Sequence, residues 1–324
     1  MIRLYLFSFI LFINLIFSFD YKSNYYFGYD NNVLKYSDNE NILFSRYIST
    51  QQSLSKKFKI LDRSTRFNFL IKKNYFLDNN DKSNYSVSLK FKQPLGDYRF
   101  VDFSYNYIND IYLRKYVDVD QGIVNYIYDG TDCYFDFSKY SIGYERPLNR
   151  KKSKMNYYYL YQTQFYNKYF TEFDLELNGY KIKYSNNNKY NRYNISLTLF
   201  DAQNITRNDE TMSTDYMDRG YKEFSYFLSY EYKLKDKKIG FSINENSRQY
   251  SSNIIADQLH YKRDHIDRQI FIWYSFYHGN KNKSKFIIKY RERNTDSGYS
   301  WVEDLKTFDK LTFEYIIYLR KREF

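Results

Sequence analysis

The sequence predicts an all-β protein: a transmembrane, antiparallel, up-and-down β-barrel of about 14 strands (about 12 to 16). Three observations predict it. Apolar and polar residues alternate with period 2 in segment after segment. Many of these runs are about 10 to 14 residues long, whereas an average soluble strand has about 5 or 6 and a tilted membrane strand needs about 9 to 11. The links between runs are short and long in turn.

Strands are expected at 24–36, 49–60, 65–77, 84–93, 98–109, 133–146, 155–167, 171–184, 191–202, 221–234, 237–249, 267–277, 283–293 and 309–321. The third, RFNFLIKKN (66–74), sets Phe67, Phe69 and Ile71 against Arg66, Asn68 and Lys72. The fourth sets Tyr85, Val87, Leu89 and Phe91 against Ser86, Ser88, Lys90 and Lys92. In the fifth, Val101, Phe103, Tyr105 and Tyr107 oppose Asp102, Ser104 and Asn106. The sixth changes phase, Phe135 and Phe137 giving way to Tyr140, Ile142 and Tyr144. The seventh carries Tyr157, Tyr159 and Tyr161 on one face. The eighth changes phase after Asn178-Gly179, from Leu175 and Leu177 to Tyr180, Ile182 and Tyr184. A one-residue slip turns every later side chain to the other face, so a bulge is expected, and Gly179 suits one. Tyr193, Ile195, Leu197 and Leu199 share a face in the ninth, and Phe224, Tyr226, Leu228, Tyr230 and Tyr232 in the tenth, opposite Glu231 and Lys233. Phe286, Ile288 and Tyr290 oppose Lys289 and Arg291 in the thirteenth. The last sets Leu311, Phe313, Tyr315, Ile317 and Leu319 against Thr312 and Glu314.

After even strands the links are short: 61–64, PLGD (94–97), 147–153, 185–190, 235–236 and 278–284. After odd strands several are long: 37–48, 110–132, 203–220, 250–266 and 294–308. An even strand count returns both ends of the barrel to the short-turn side. A soluble sheet of this size needs a second apolar layer, and the sequence contains no amphipathic helices to supply one. Lipid supplies it instead, and a closed barrel satisfies every backbone group in hydrocarbon. The 42 tyrosines suit the two interfacial belts.

The chain has 324 residues and a net charge of +12. The basic balance does not point to nucleic acid, because no base-stacking module is present and Lys, Asn, Ile, Phe and Tyr, all with A/T-rich codons, are abundant together. A single cysteine, Cys133, excludes a disulfide framework and a Cys-based zinc site; no metal or cofactor is expected. Arg3 followed by the apolar run Leu4 to Phe17 has the form of a signal peptide, expected to be cleaved after Ser18. Residues 1–18 are thus read as the signal and 19–324 as one barrel domain.

The opening strand FGYDNNVLKYS (27–37), the strand and loop rhythm, and the ending LTFEYIIYLRKREF (311–324) resemble porin-like outer-membrane β-barrel proteins of didermal bacteria. The resemblance covers residues 24–324 and implies short periplasmic turns, long extracellular loops and an outer-membrane location. It implies outer-membrane lipid and the barrel-assembly machinery as partners, with Phe324 as the assembly signal. The sequence departs from that pattern. Two, four and six residues before Phe324 stand Arg322, Arg320 and Tyr318, while the apolar phase is the opposite one, so either the strand ends near Leu319 or a bulge shifts it. The pattern leaves the oligomeric state open.

If the apolar phase faces lipid, the lumen receives Arg66, Asn68, Lys72, Lys90, Lys92, Asp102, Glu231, Lys289, Arg291, Arg293 and Glu314. That lining is wettable and mostly basic, which sets ion preference through the local potential. Leu70, Tyr158, Leu160, Phe227, Phe271 and Trp273 share the phase and argue for partial filling. The function expected is a passive porin-like channel for small polar or anionic solutes. The alternatives are a surface-exposed barrel with a closed lumen, or a hydrolase using His260 or His265 beside Asp257, Asp264 and Asp267 in a long exposed loop. Asp118, Asp120, Asp129 and Asp132 gather in another loop, without the spacing of a calcium site.

Overall fold

A computed structural model of the chain describes residues 20–37, 42–116, 131–149, 152–205, 217–278 and 282–321. The period-2 segments form fourteen strands: β1 (Asp20–Asp30), β2 (Ser45–Ile60), β3 (Arg63–Phe76), β4 (Asn84–Gly96), β5 (Arg99–Tyr116), β6 (Thr131–Asn149), β7 (Ser153–Tyr166), β8 (Leu175–Asn187), β9 (Asn191–Asn204), β10 (Tyr221–Lys233), β11 (Lys237–Tyr250), β12 (Asp264–His278), β13 (Asn282–Asp296) and β14 (Phe308–Lys321). Each pairs antiparallel with its sequence neighbours, and β1 pairs with β14, so the sheet closes on itself and leaves no edge. Among the described residues, one short helix, α1 (Ser300–Lys306), and two 3-10 turns (Asn80–Lys82 and Thr171–Phe173) lie in the connections on one rim.

The register fixes which way each residue points. Along β9, Ile195, Leu197 and Leu199 are 45%, 49% and 57% exposed, while the intervening Asn194, Ser196 and Thr198 are buried. The apolar phase therefore faces outward and the small polar phase inward, the reverse of a soluble protein. Cross-strand pairs extend the outer band around the barrel. Phe67 and Phe91 have ring centroids 4.9 Å apart, Tyr105 and Tyr140 4.8 Å, and Phe286 and Tyr315 4.6 Å.

Two turns on the short-turn rim are two-residue hairpins with both central residues left-handed: Leu61 and Asp62 (φ 50° and 59°), and Asp97 and Tyr98 (φ 48° and 60°). That geometry matches strand twist. The turn expected at Pro94–Asp97 is instead Asp97-Tyr98, because β4 continues through Pro94 to Gly96 with a register shift between those two residues. Likewise β1 starts at Asp20 and ends at Asp30, short of the expected 36, because Asn32 turns the chain inward. The buried Asn32 donates Nδ2 to the carbonyls of Tyr36 (2.7 Å) and Asp309 (2.9 Å).

The eighth strand carries no bulge at Gly179, where one was expected. Beside the phase change of the sixth, the extra residues lie on β5, whose register against β6 shifts between Ile108 and Ile111 and between Tyr112 and Arg114. Pairing runs unbroken through Gly179 on both sides of β8, and from Phe135 to Pro147 between β6 and β7. The phase change is real: Leu175 and Leu177 point inward and are 0% and 3% exposed, whereas Tyr180 points outward at 67%. Near the long-loop rim the polarity of the wall inverts, because outside lies water and inside lie packed loops. Leu175, Leu177, Ala202, Tyr221 and Tyr250 form a small core there. Similarly, β14 runs to Lys321 with no bulge, past the expected stop at Leu319. Residues 1–18, Phe324, Asp118, Asp120 and Asp129 lie outside the described residues.

Candidate functional site

The strand register sets Arg66, Asn68, Lys72, Lys90, Lys92 and Asp102 in one continuous inward-facing patch across β3, β4 and β5. Glu231 on β10, Lys289, Arg291 and Arg293 on β13 and Glu314 on β14 occupy the same face of the sheet.

The inward carboxylates are outnumbered and held. Glu145, which sequence reading missed, accepts from Lys92 Nζ (2.8 Å), Lys154 Nζ (2.6 Å) and Asn156 Nδ2 (3.0 Å). Glu314 accepts from Tyr47 Oη and Lys289 Nζ, both at 2.7 Å. Asp267 is shared by Arg291 (2.6 Å) and Arg293 (2.7 Å). Each acid is thus neutralised by neighbours, while Lys72 lies over the Tyr26 ring (4.4 Å) and Lys285 over the Trp273 ring (4.7 Å). The net lining is positive.

Four of the large inward rings sit against the wall. Gly28, Gly143, Gly179 and Gly240 each face an aromatic residue directly across the ladder: Tyr47, Tyr158, Phe200 and Trp273. A Cβ on these glycines would stand 2.1, 2.4, 2.3 and 2.4 Å from the respective ring. The rings lie flat on the wall because the glycines leave room for them.

At the long-loop rim the connections fold inward around a cavity of about 250 Å³. Five arginines (Arg114, Arg219, Arg248, Arg263 and Arg293) and three lysines (Lys35, Lys82 and Lys306) line it, together with His260, His265 and apolar residues such as Phe135 and Phe173. Among the described residues its lining includes no Asp or Glu. Burial, reinforced by neighbouring cations, pushes Lys35 and Lys306 well below the usual lysine range and Lys82 down to about 7. Little in the sequence pointed here, since these residues are scattered over several loops and strand ends.

His260 and His265 are not on an exposed loop; they are 3% and 4% exposed. The 251–263 connection packs into the mouth, and His260 stacks on Tyr250 with centroids 5.4 Å apart. His260 Nδ1 lies 2.8 Å from Asp257 Oδ1, and Asp257 Oδ2 accepts from Ser252 Oγ (3.0 Å) and the Asp218 amide (2.8 Å). Asp257 therefore braces its own connection and ties it to the segment before β10. Burial lowers His260 to about 4, so it is neutral at physiological pH. Asp264 and Asp267 are not its partners; Asp267 serves the β13 arginines.

No protein-family model and no curated protein matches this sequence. Solved structures do match. The outer membrane channel DcaP of Acinetobacter baumannii aligns with a TM-score of 0.53 at 7% identity, covering 94% of this chain and 97% of that one. The chain has the fold of an outer-membrane β-barrel. An anion-selective porin from Comamonas acidovorans aligns at 0.47 and 8% identity, covering 94% and 99% of the two chains. OprD of Pseudomonas aeruginosa aligns at 0.42 and 8%, covering 94% and 96%. The expected closed, up-and-down, porin-like barrel of 14 strands agrees with the observed architecture.

Proposed function

We propose that the barrel is a passive channel in the bacterial outer membrane for small polar solutes, with a preference for anions. The observation that carries this reading is the excess of basic side chains in the lining: Glu145, Glu314 and Asp267 are each tied to cations, and further cations remain. Charge of one sign along a low-dielectric passage raises the local concentration of the opposite ion. In this reading Arg66, Asn68, Lys72, Lys90, Lys92, Asp102, Glu231, Lys289, Arg291, Arg293 and Glu314 line the aqueous path, and the outer aromatic and aliphatic band meets lipid. The flat rings over glycine support an open bore.

Reversal potential across a planar bilayer under a KCl gradient tests it; the expected sign is that of chloride preference. Cation preference, or no conductance, would overturn it. The inward-packed loops favour a second reading, a surface barrel whose lumen is closed. Swelling of proteoliposomes in sugars of rising size separates the two, since a closed barrel admits none.

A further inference from the structure

We infer that the basic mouth is a binding site for a small multivalent oxyanion of the phosphate class: inorganic phosphate, pyrophosphate or a phosphomonoester. The inference deepens the channel reading and rests on it for access, since solutes entering from the long-loop side pass this cavity.

Partnering separates this cluster from an ordinary basic surface. Arg248 is paired with Glu223 at 2.6 Å, and Arg293 with Asp267 at 2.7 Å. The other six basic side chains of the lining, Arg114, Arg219, Arg263 and the three lysines, have no ion-pair partner among the described residues. Arg219 donates to neutral oxygens only, the Phe173 carbonyl (2.7 Å) and Gln164 Oε1 (3.0 Å). Lys82 donates to the Tyr112 and Leu113 carbonyls, and Arg263 to the Leu259 carbonyl. Two of the arginines are more than nine-tenths buried and keep a donor with no acceptor: Arg114 Nη1 and Arg263 Nε. Buried donors without acceptors, and buried charges without counter-charge, are costly and are retained where a ligand satisfies them.

The guanidiniums are also held in place. Arg263 lies 3.7 Å from the Tyr250 centroid, Arg248 3.9 Å from Tyr221, and Arg114 and Arg219 4.8 Å from Tyr36 and Tyr166. An aromatic ring behind a guanidinium leaves its edge free, and that edge matches the oxygen spacing of phosphate.

Charge decides the class of ligand. Attraction grows in proportion to the anion's charge, so a dianion gains about twice what a monocarboxylate or chloride gains at the same distance. The cavity, about 250 Å³, suits a small ion. Anion binding also favours protonation of the crowded lysines, because the new negative charge offsets the burial and the cation repulsion that lower Lys35, Lys82 and Lys306. Lipid headgroups share the phosphate chemistry, but this cavity opens inside the barrel, away from the outer band.

The test uses the full-length chain in a neutral detergent, titrated calorimetrically near neutral pH with pyrophosphate, phosphate and acetate at matched ionic strength. Pyrophosphate and phosphate are expected to bind at least about tenfold more tightly than acetate. Proton uptake appears as a binding heat that varies with the buffer's ionisation heat. Arg114→Gln and Lys306→Gln each lower phosphate affinity about tenfold, whereas Lys235→Gln, exposed in the short turn between β10 and β11 at the opposite rim, leaves it unchanged. Heat-dependent gel mobility checks that every variant is folded, and the anion preferences of the unmodified chain stand as a result without any variant. Equal affinity for acetate, or folded mouth variants that bind phosphate normally, would overturn the inference. Displacement of phosphate by anionic phospholipid would overturn its assignment to soluble anions. Binding without conductance would sink the channel reading and leave the site standing.

Discussion

At the scale of single residues, the inward acids control how much positive charge the lumen presents. Glu145 is buried and faces two lysines and an asparagine at once. Glu145→Gln keeps the shape and removes the charge, leaving Lys92 and Lys154 against a neutral amide. Anion preference is expected to rise, read as a larger reversal potential. Stability falls by about 1–2 kcal/mol, since both lysines remain partly wetted. No sequence pattern singled out Glu145: it follows the aromatic run of the sixth strand, and its two lysines come from β4 and β7. By contrast, Lys92 and Asp102 stand in clean alternation, and their inward placement was legible from the first.

At the scale of elements, period 2 made the strands readable because lipid-facing and lumen-facing residues differ in polarity over most of each strand's length. It failed as a guide to register in β6 and β8, where Phe137 and Leu177 give way to Tyr140 and Tyr180. Alternation reports only which face is apolar, and near the long-loop rim the apolar face is the inner one. Gly179, suited on paper to a bulge, instead makes room for the Phe200 ring. The same reasoning applies to Gly240, whose missing Cβ seats Trp273 on the wall. Gly240→Ala pushes the indole into the bore. The expected result is a loss of about 1–3 kcal/mol, seen as a lower temperature for loss of the folded gel band, together with reduced single-channel conductance.

For the whole molecule, the channel reading predicts that the mouth makes permeation depend on pH. Lys82 sits outside the strands, repelled by Lys310 and Arg114 and attracted by Asp30, with its pKa lowered to about 7. It is charged below that value and neutral above it. Lowering pH from about 8 to about 6 therefore adds positive charge to the entrance, and chloride preference is expected to increase. Lys82→Met removes that step; reversal potentials at the two pH values check it. Barrel closure and the location of its long loops were legible as a rhythm of link lengths. The basic mouth was not, because its members come from distant segments and converge only when those segments pack inward.

The inversion of polarity along β6 has a consequence for how the protein meets its surroundings. From Phe137 to Thr131 the strand continues beyond the level at which its outer side is greasy, a rise of roughly 15 Å at ordinary strand tilt. That stretch is a parapet, polar outside and packed against loops within, standing proud of the bilayer. An antibody or protease arriving from the medium would touch a solid, folded crown and only then find a hole.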